Sequence, residues 1–431
     1  MKAIIRKILP QSLIDVYHYF SSLTGVLIYR FPSKEIKVIA ITGTNGKSTV
    51  VSLASKILQE AGHRVASCSS VAFRIQNKEE LNRLRMTMPG GFYLQRFLRR
   101  AVKEKCDYAI LEVTSEGVKQ YRHKFIDFEL VAITNLTPEH IEAHGGFENY
   151  KKAKGKLFQA VKKTHVVNLD DEHVEYFLQF PAQKKYGYRM KSNPRKEEIQ
   201  KNRESITIIE AGNVLASGDG VQFSVDKINI QLKLLGKFNA YNALAAICIC
   251  LSQKVNLDAC KRGLEKTQGM PGRMEMVISH PFKVIVDYAF TPNALNQVYK
   301  TIKENFSPQK TICVLGACGG GRDKWKRPIL GELAAKYCDT VIVTNEDPYD
   351  EDPMEIIDQV AANTQGKAIK VSERREAIKE ALRSARPNDL IIITGKGCEP
   401  SICLAGGKQI PWDDRKAVRE EFQKLKNQDG E

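Results

Sequence analysis

The chain has 431 residues, of which 42% are hydrophobic and 27% are charged, so it is long enough to form more than one domain core. Its ten cysteines are scattered without paired Cys-x-x-Cys spacing, which argues against a disulfide framework or a zinc site and favours the reducing cytoplasm. The formal net charge of +16 indicates anionic partners. The sequence contains no basic motif interleaved with aromatic residues, so nucleic acid is not an expected partner.

Residues 1–35 form an N-terminal segment before the first predicted strand. Lys2, Arg6 and Lys7 are followed by aliphatic and aromatic residues that polar residues interrupt. The segment does not resemble a cleaved signal peptide, and it is too broken to cross a bilayer, which needs about 20 mostly apolar residues. Two interpretations remain: an amphipathic helix lying on a membrane surface, and a helix packed on the protein's own body.

A phosphate-binding loop follows the first predicted strand. The strand ends in a glycine turn and a helix opens directly after it, in the sequence AITGTNGKSTV at 40–50. In such a loop, backbone N–H groups surround phosphate oxygens, Lys47 contacts the terminal phosphates and a hydroxyl of Ser48 or Thr49 can bind Mg²⁺. Ile41 replaces the first glycine of the usual pattern, so this loop is a shortened variant. The predicted nucleotide-binding residues here are Gly43, Thr44, Asn45, Gly46, Lys47, Ser48 and Thr49.

Alternating strand and helix patterns predict an α/β fold with two units. The first unit, 36–272, is predicted to be a central nucleotide-binding domain with a parallel sheet and a small β-rich insert at about 205–235. The second, 273–431, is predicted to be a Rossmann-like C-terminal α/β domain. Polar residues end the strand-like runs 108–113 and 130–134, at the edge where a parallel sheet presents its ligands.

The shortened loop TGTNGKS resembles that of the Mur ligase family. Further blocks resemble the family in the same order as far as Asp413-Asp414-Arg415, so the resemblance covers everything except the segment before Ile36. Within the family, the chain is most similar to the branch that adds the third amino acid of the stem peptide, the UDP-N-acetylmuramoyl-tripeptide synthetases. The resemblance implies an ATP-dependent amide ligase of peptidoglycan synthesis that uses Mg²⁺, a muramoyl-peptide donor and an amino acid acceptor.

The resemblance also assigns catalytic and metal-binding roles. Family residues that match Glu112 and His140 are metal ligands, and each follows a predicted strand beside the phosphate loop. Lys154 matches a lysine that is carbamylated by CO₂ in the family. Carbamylation replaces a positive charge, which would repel Mg²⁺, by oxygens that can bind it. The predicted catalytic residues are Lys47, Glu112, His140 and Lys154, and the predicted metal ligands are Ser48, Glu112, His140 and Lys154.

Contacts to the nucleotide base and the substrates follow from the same resemblance. Asn242 matches a residue that contacts the base, while Arg273 and Asp287 match positions that hold the nucleotide across a cleft between domains. Phe290 stands where the family usually has histidine, so it can stack on a ring but cannot donate a hydrogen bond. The predicted substrate-binding residues are Thr87, Ser115, Arg122, Arg322, Asp347 and Glu399.

The acceptor motif differs from that of the enzymes that add diaminopimelate. Those enzymes carry Asp-Asn-Pro-Arg, whose arginine pairs with the distal carboxylate of the amino acid, whereas this chain has Glu346-Asp347-Pro348-Tyr349. Two carboxylates without an arginine favour an acceptor whose side chain ends in an amine. Alternatively, Arg322 or another basic residue takes over the pairing.

Family members normally carry a uridine-nucleotide-binding domain before the phosphate loop, whereas about three dozen residues precede it in this chain, fewer than an independent domain needs. Recognition of a UDP group is therefore expected to be weak, rebuilt elsewhere or unnecessary, and a lipid-linked donor at the membrane is an alternative to a UDP-linked one. Two other functions stay open: a ligase similar to folylpolyglutamate synthetase, and a non-catalytic, membrane-associated nucleotide-binding protein.

Overall fold

The computed structural model describes residues 10–82, 84, 86–192 and 206–429. Lys2, Arg6 and Lys7, the basic residues of the predicted membrane-surface helix, lie outside the described residues. Along the described part of the chain, no helix is long and apolar enough to cross a membrane.

The first unit combines helices with one large sheet. Its helices are α1 (Gln11–Ile28), α2 (Lys47–Glu60), α3 (Gly91–Lys103), α4 (Ser115–Lys119), α5 (Ile141–His144), α6 (Phe147–Ala160), α7 (Val174–Leu178), α8 (Phe238–Ser252) and α9 (Leu257–Glu265). Its strands are β1 (Lys37–Thr42), β2 (Val65–Cys68), β3 (Ala72–Ile75), β4 (Lys78–Leu81), β5 (Tyr108–Glu112), β6 (Phe128–Ile133), β7 (Thr164–Asn168), β8 (Lys184–Met190), β9 (Ile206–Ser217), β10 (Gly220–Val225) and β11 (Ile228–Leu232).

The described strands of this unit form one sheet in the order β11-β10-β9-β8-β7-β6-β1-β5-β2-β3-β4. Neighbouring strands from β9 to β2 pair in parallel, which confirms the predicted parallel sheet. Antiparallel pairs extend it at both ends. The predicted β-rich insert forms β9, β10 and β11, so it continues the main sheet instead of standing apart from it.

Both faces of the sheet are covered by helices, as a parallel sheet requires. In β1, Ile39 and Ile41 pack with residues of α2, α8 and α9 on one face. Val38 and Ala40 pack with residues of α3 and α6 on the other face. The alternation of side chains along a strand therefore places α2, which begins directly after the phosphate loop, against the buried centre of the sheet.

The second unit has its own sheet. Its strands are β12 (Glu275–Ile278), β13 (Lys283–Val286), β14 (Thr311–Leu315), β15 (Thr340–Thr344), β16 (Ala368–Val371), β17 (Leu390–Ile393), β18 (Ser401–Cys403) and β19 (Gln409–Pro411). Its helices are α10 (Pro292–Phe306), α11 (Arg327–Tyr337), α12 (Pro353–Ala361), α13 (Arg374–Ser384) and α14 (Asp414–Asp429). The sheet order is β12-β13-β17-β14-β15-β16, parallel from β13 to β16, and β18 pairs with β19 separately. The predicted boundary at 272/273 lies between α9 and β12 and stays a prediction.

A buried ion pair joins the starts of α13 and α14. Arg374 donates from Nε and Nη2 to the carboxylate of Asp414 at 2.8 and 2.7 Å, and its Nη2 also donates to the carbonyl oxygen of Thr394 at 2.8 Å. Both charged side chains are almost fully buried. The pair therefore fixes both helices to the end of β17, and neither partner can be removed without leaving a buried, unpaired charge or donor.

The Asp414→Ala variant is expected to lower the free energy of unfolding by about 3–5 kcal/mol, because the Arg374 guanidinium stays buried without its counter-ion. Urea unfolding followed by circular dichroism measures the loss. Glu420→Ala is the matched control, since its partner Arg375 joins the same two helices at an exposed position, and this variant should unfold at nearly the parent urea concentration. Equal effects of the two substitutions would contradict the structural role of the buried pair.

Candidate active site

A cavity of about 910 Å³ separates the carboxyl ends of the first sheet from the second unit. Residues of both units line it, as expected for a ligand site at the edge of a parallel sheet. Most of the predicted site residues meet here: Gly43, Thr44, Asn45, Gly46, Lys47, Ser48, Thr49, Thr87, Glu112, Ser115, His140, Lys154, Asn242, Arg273, Asp287 and Arg322. Arg122, Asp347 and Glu399 lie outside this lining.

The phosphate loop is held in shape before any ligand binds. Gly43 and Gly46 adopt positive φ values of 139° and 82°, which favour glycine. The backbone N–H of Thr44 donates to the carbonyl oxygen of Asn135, and that of Asn45 donates to its side-chain oxygen, both at 2.9 Å. Asn135 is the second residue after β6 and was not predicted from the sequence, although its place just after a buried strand was the signal that could have identified it.

Lys47 and Ser48 begin α2 and meet the carboxylate of Glu112 at the end of β5. Ser48 Oγ donates to Glu112 Oε2 at 2.8 Å, and Lys47 Nζ lies 3.8 Å from Glu112 Oε1. Lys47 Nζ also donates to the carbonyl oxygen of Thr44 at 2.8 Å. Burial lowers the pKa of Lys47, and the attraction of Glu112 offsets this only in part.

Lys154 lies on α6 and reaches into the same site. It is 1% exposed, and its Nζ donates to the carbonyl oxygen of Gly43 at 2.9 Å and sits 4.7 Å from the centre of the Tyr150 ring. Burial, reinforced by the charge of Lys47, holds the pKa of Lys154 well below its usual range. Lys47, which pairs with Glu112, and Lys154 thus place two amino groups beside the phosphate loop, where they favour an anionic ligand.

His140 stands between β6 and α5 in a left-handed conformation, with φ of 57°. Its ring centre lies 6.2 Å from that of Tyr150. Burial, with a further effect from Arg322, lowers the pKa of His140 to about 2. The imidazole is therefore neutral near pH 7 and has a free electron pair for a ligand or metal.

Some residues of the site suit Mg²⁺ and others do not. Nowhere in the described residues do three or more His, Cys, Asp or Glu side chains come together as a preformed metal cage. Mg²⁺ bound to nucleotides usually takes one or two protein ligands and completes its shell with phosphate oxygens and water. The adjacent oxygens of Ser48 and Glu112 fit that pattern, whereas the ammonium group of Lys154 fits it only after conversion to a carbamate.

The residues predicted to contact the base and hold the nucleotide also line the cavity. Asn242 projects from the first turns of α8 beside Gly46. The guanidinium of Arg273 stacks 4.0 Å from the centre of the Tyr288 ring. Asp287 follows β13 and accepts two backbone N–H bonds at 2.7 Å, one of them from the residue after Arg273. Asp287 thus fixes the backbone that carries Arg273 across the cleft.

Three predicted substrate residues are engaged elsewhere in the protein. Arg122 is buried and donates to the carbonyl oxygen of Met88. Asp347 accepts a bond from Lys396 Nζ at 2.9 Å, and Glu399 accepts one from the same ammonium group. The charge argument for an amine-bearing acceptor counted Asp347 as an available carboxylate, but Lys396 already neutralises it.

Glu346 differs from its neighbour in the acceptor motif. Its side chain is 2% exposed, and Oε1 accepts a bond from the Cys318 thiol at 2.9 Å. Its other carboxylate oxygen is buried without a hydrogen-bond partner among the described residues. Burial raises the pKa of Glu346. Within the motif, Glu346 is therefore the carboxylate that lacks a neutralising lysine contact.

A set of contacts across the cleft, here called the closure contact, joins residues 139–142 of the first unit to 323–326 of the second. Lys326 Nζ lies 2.7 Å from Glu139 Oε1, and both side chains are 3% exposed. Asp323 accepts the backbone N–H groups of Ile141 and Glu142 at 3.1 and 3.0 Å. Lys326 belongs to a basic run at 322–327, whereas its acidic partner lies 187 residues away along the chain and could not be identified from the sequence.

The fold and the site together define a class of enzyme. A phosphate-loop α/β unit packs against a second α/β unit, and the phosphate loop opens into the cavity between them. Comparison with known families agrees: residues 41–250 match the Mur ligase middle domain, and residues 272–397 match the Mur ligase glutamate ligase domain. The chain belongs to the Mur ligase family, whose members are ATP-dependent amide ligases that use Mg²⁺. The resemblance inferred from the sequence is thereby confirmed.

Individual relatives place the chain more closely. It is 35% identical over 415 residues to the UDP-N-acetylmuramoyl-L-alanyl-D-glutamate–2,6-diaminopimelate ligase of Syntrophomonas wolfei, covering 93% of this chain and 81% of that protein. A solved structure of a ligase with the same name is 29% identical with a TM-score of 0.59, covering 91% and 79% of the two chains. A Mycobacterium tuberculosis folylpolyglutamate synthase has a TM-score of 0.71 at 17% identity, covering 88% and 92%, and shares the fold.

The Lys326→Met variant is expected to populate an open cleft, because it leaves Glu139 buried without its counter-ion, a change that typically costs about 3–5 kcal/mol. Small-angle X-ray scattering should report a larger radius of gyration than for the parent protein. Lys324→Met is the matched control, since that lysine contributes its backbone N–H to the closure contact and its side chain pairs with Glu351. Identical scattering from the two variants would show that the Lys326–Glu139 pair does not hold the units together.

Proposed function

We propose that the protein joins an amino acid to a muramoyl-peptide precursor of peptidoglycan in a reaction driven by ATP. The single observation that carries this proposal is the phosphate loop with Lys47 and Lys154 in a cavity between the two units, in a chain of the Mur ligase family. The names of the relatives support a UDP-linked donor, and a lipid-linked donor remains the alternative. The free cysteines support a cytoplasmic reaction.

The proposed chemistry has two steps. A carboxylate oxygen of the donor attacks the γ-phosphorus of ATP, the bond to the β-phosphate oxygen breaks and ADP leaves, which yields an acyl phosphate. The acceptor amine then attacks the acyl carbon, and the tetrahedral intermediate expels phosphate while the amine loses a proton. Lys47 is positioned to neutralise phosphate charge in the first step, since it opens α2 beside the loop glycines.

Mg²⁺, held by Ser48, Glu112, His140 and carbamylated Lys154, would supply further charge neutralisation at the phosphates. Carbamylation is supported by the state of the lysine itself. Because burial lowers the pKa of Lys154, its amine is readily neutral, and a neutral amine can add to CO₂. The carbamate then adds a second anion to the pair of Lys47 and Glu112, and a divalent cation can offset this added negative charge.

Recognition of the two substrates is proposed to use opposite sides of the cleft. Thr87 and Ser115 line it on the side of the first unit, where Ser115 Oγ also lies 3.1 Å from His144 Nε2. Arg322 lines it on the side of the second unit. We propose the domain division 1–35, 36–272 and 273–431, with the donor carboxylate and the acceptor amine meeting between the latter two.

A ligase that acts on folates is the second candidate, because the folylpolyglutamate synthase structure matches this fold over 88% of this chain and 92% of its own. Mass spectrometry of products formed from a panel of donors distinguishes the two functions. The panel contains UDP-linked muramoyl-peptide, lipid-linked muramoyl-peptide and folate, each with ATP and a mixture of amino acids. An amide product with a muramoyl-peptide supports the proposal, whereas glutamate addition to folate supports the second candidate, and ATP binding without any product refutes both.

The Lys154→Ala variant is expected to lower the ligation rate by about a hundredfold or more while ATP affinity stays close to that of the parent protein. Short carboxylic acids should restore part of the rate by supplying the missing oxygens. Lys152→Ala is the matched control, because that lysine lies exposed on the same helix and should be dispensable. A fully active Lys154→Ala protein would exclude the carbamate role.

In a competition between lysine and meso-diaminopimelate at equal concentration, lysine is expected to be the preferred acceptor. Tyr349 replaces the arginine that pairs with the distal carboxylate, so a carboxylate at that position would lose its ion pair. Mass spectrometry of the product mixture measures the preference. Tyr349→Arg should shift it toward diaminopimelate, and clear preference of the parent protein for diaminopimelate would refute the charge argument.

A further inference from the structure

Helix α1 turns large apolar side chains toward solvent. Leu13, Val16, Tyr17 and Phe20 are spaced by three and four residues, and after the exposed Thr24 the same side of the helix continues with Leu27 and Ile28. We call this set the apolar stripe: Leu13, Val16, Tyr17, Phe20, Leu27 and Ile28, which are 50–66% exposed. Surface helices normally bury such residues, so an exposed stripe of this length indicates an interaction surface.

The opposite side of α1 is fixed to the protein. Ser22 Oγ donates to the carbonyl oxygen of Tyr121 at 3.1 Å, and the Tyr19 ring centre lies 5.3 Å from that of Phe125. Gly25 lies so close to the start of α3 that a Cβ there would collide with the backbone of Phe92. The helix therefore docks through the side that carries Tyr19, Ser22 and the buried Val26, and this attachment holds the apolar stripe on the other side.

Basic residues surround the apolar stripe. Arg30 and Lys34 follow α1, Arg96 lies on α3 one turn after Phe92, and Lys124 lies in the 121–125 loop that α1 contacts; all four are exposed. Asp15 is the one acidic residue in the sequence of α1. A stripe of this kind with a basic margin complements an anionic surface that has an apolar interior, whereas a second copy of the chain would bring two basic margins together.

We propose that α1 lies in the plane of an anionic lipid bilayer, with the apolar stripe inserted among the acyl chains and the basic margin against the headgroups. Tyr17 suits the boundary between the two regions, because its ring is apolar and its hydroxyl is polar. This interaction goes beyond the ligase reaction and does not depend on it. It would hold the enzyme at the surface where lipid-attached precursors are made.

Flotation of the full chain with vesicles of phosphatidylglycerol and phosphatidylcholine tests the proposal. The stripe variant, Val16→Gln/Phe20→Gln/Leu27→Gln, should lose binding about tenfold or more, because these side chains supply inserted apolar area. The control variant replaces three apolar residues of comparable exposure elsewhere, Leu215→Gln/Ile369→Gln/Ile410→Gln, and should float like the parent protein. Vesicles of phosphatidylcholine alone should bind all proteins weakly.

A second variant keeps the test independent of the folding of α1. Arg96→Gln/Lys124→Gln leaves the apolar stripe intact and should lower binding to the anionic vesicles about fivefold for each charge removed. Equal flotation of the stripe variant and the control variant, or no flotation of the parent protein, would overturn the proposal. A parent protein that sediments as a dimer without lipid, with a monomeric stripe variant and no vesicle binding, would assign the surface to a second copy instead.

Discussion

The site depends on one electrostatic constraint: two lysine side chains lie together beside the phosphate loop. Lys47 Nζ lies 3.8 Å from Glu112 Oε1, while Lys154 is buried and donates to the carbonyl oxygen of Gly43. Burial is costly for an ammonium group and like charges repel, so burial and the charge of Lys47 together lower the pKa of Lys154. A bound triphosphate, or chemical modification of Lys154, would offset this positive charge.

The parallel sheet makes this arrangement possible. Strands β1, β5 and β6 end side by side, and each delivers part of the site: the phosphate loop, Glu112, and the segment from Asn135 to His140. Their carboxyl ends share one edge because the strands run in the same direction. The second unit covers this edge, and the buried pair of Lys326 and Glu139 fixes its position. Side chains that are far apart in the sequence thus surround one volume.

Much of this site was predictable because its signals are local. The phosphate loop is a contiguous sequence, and Glu112 and His140 each follow a recognisable strand, so their meeting at one edge follows from the parallel fold. The partners of Asp347 and Glu399 were not predictable in the same way, since nothing near either residue identifies Lys396 as the lysine they share. The acceptor motif illustrates the difference: its charges can be counted from the sequence, but which charge is already neutralised depends on the tertiary structure. The same holds for the N-terminal helix: its apolar residues could be read from the sequence, but which side of the helix packs on the protein could not.

The closure contact has a consequence for the timing of the reaction. His140 lies between Glu139 and Ile141, and both neighbours contact the second unit, one through a side chain and the other through its backbone N–H. The left-handed backbone of His140 is therefore supported on both sides only while the cleft is closed. If the two units separate, this support is lost and the backbone of His140 can change conformation. With His140 in its proposed role, such an arrangement would guard against wasteful hydrolysis, because the nucleotide would meet a fully organised site only when the second unit is in place.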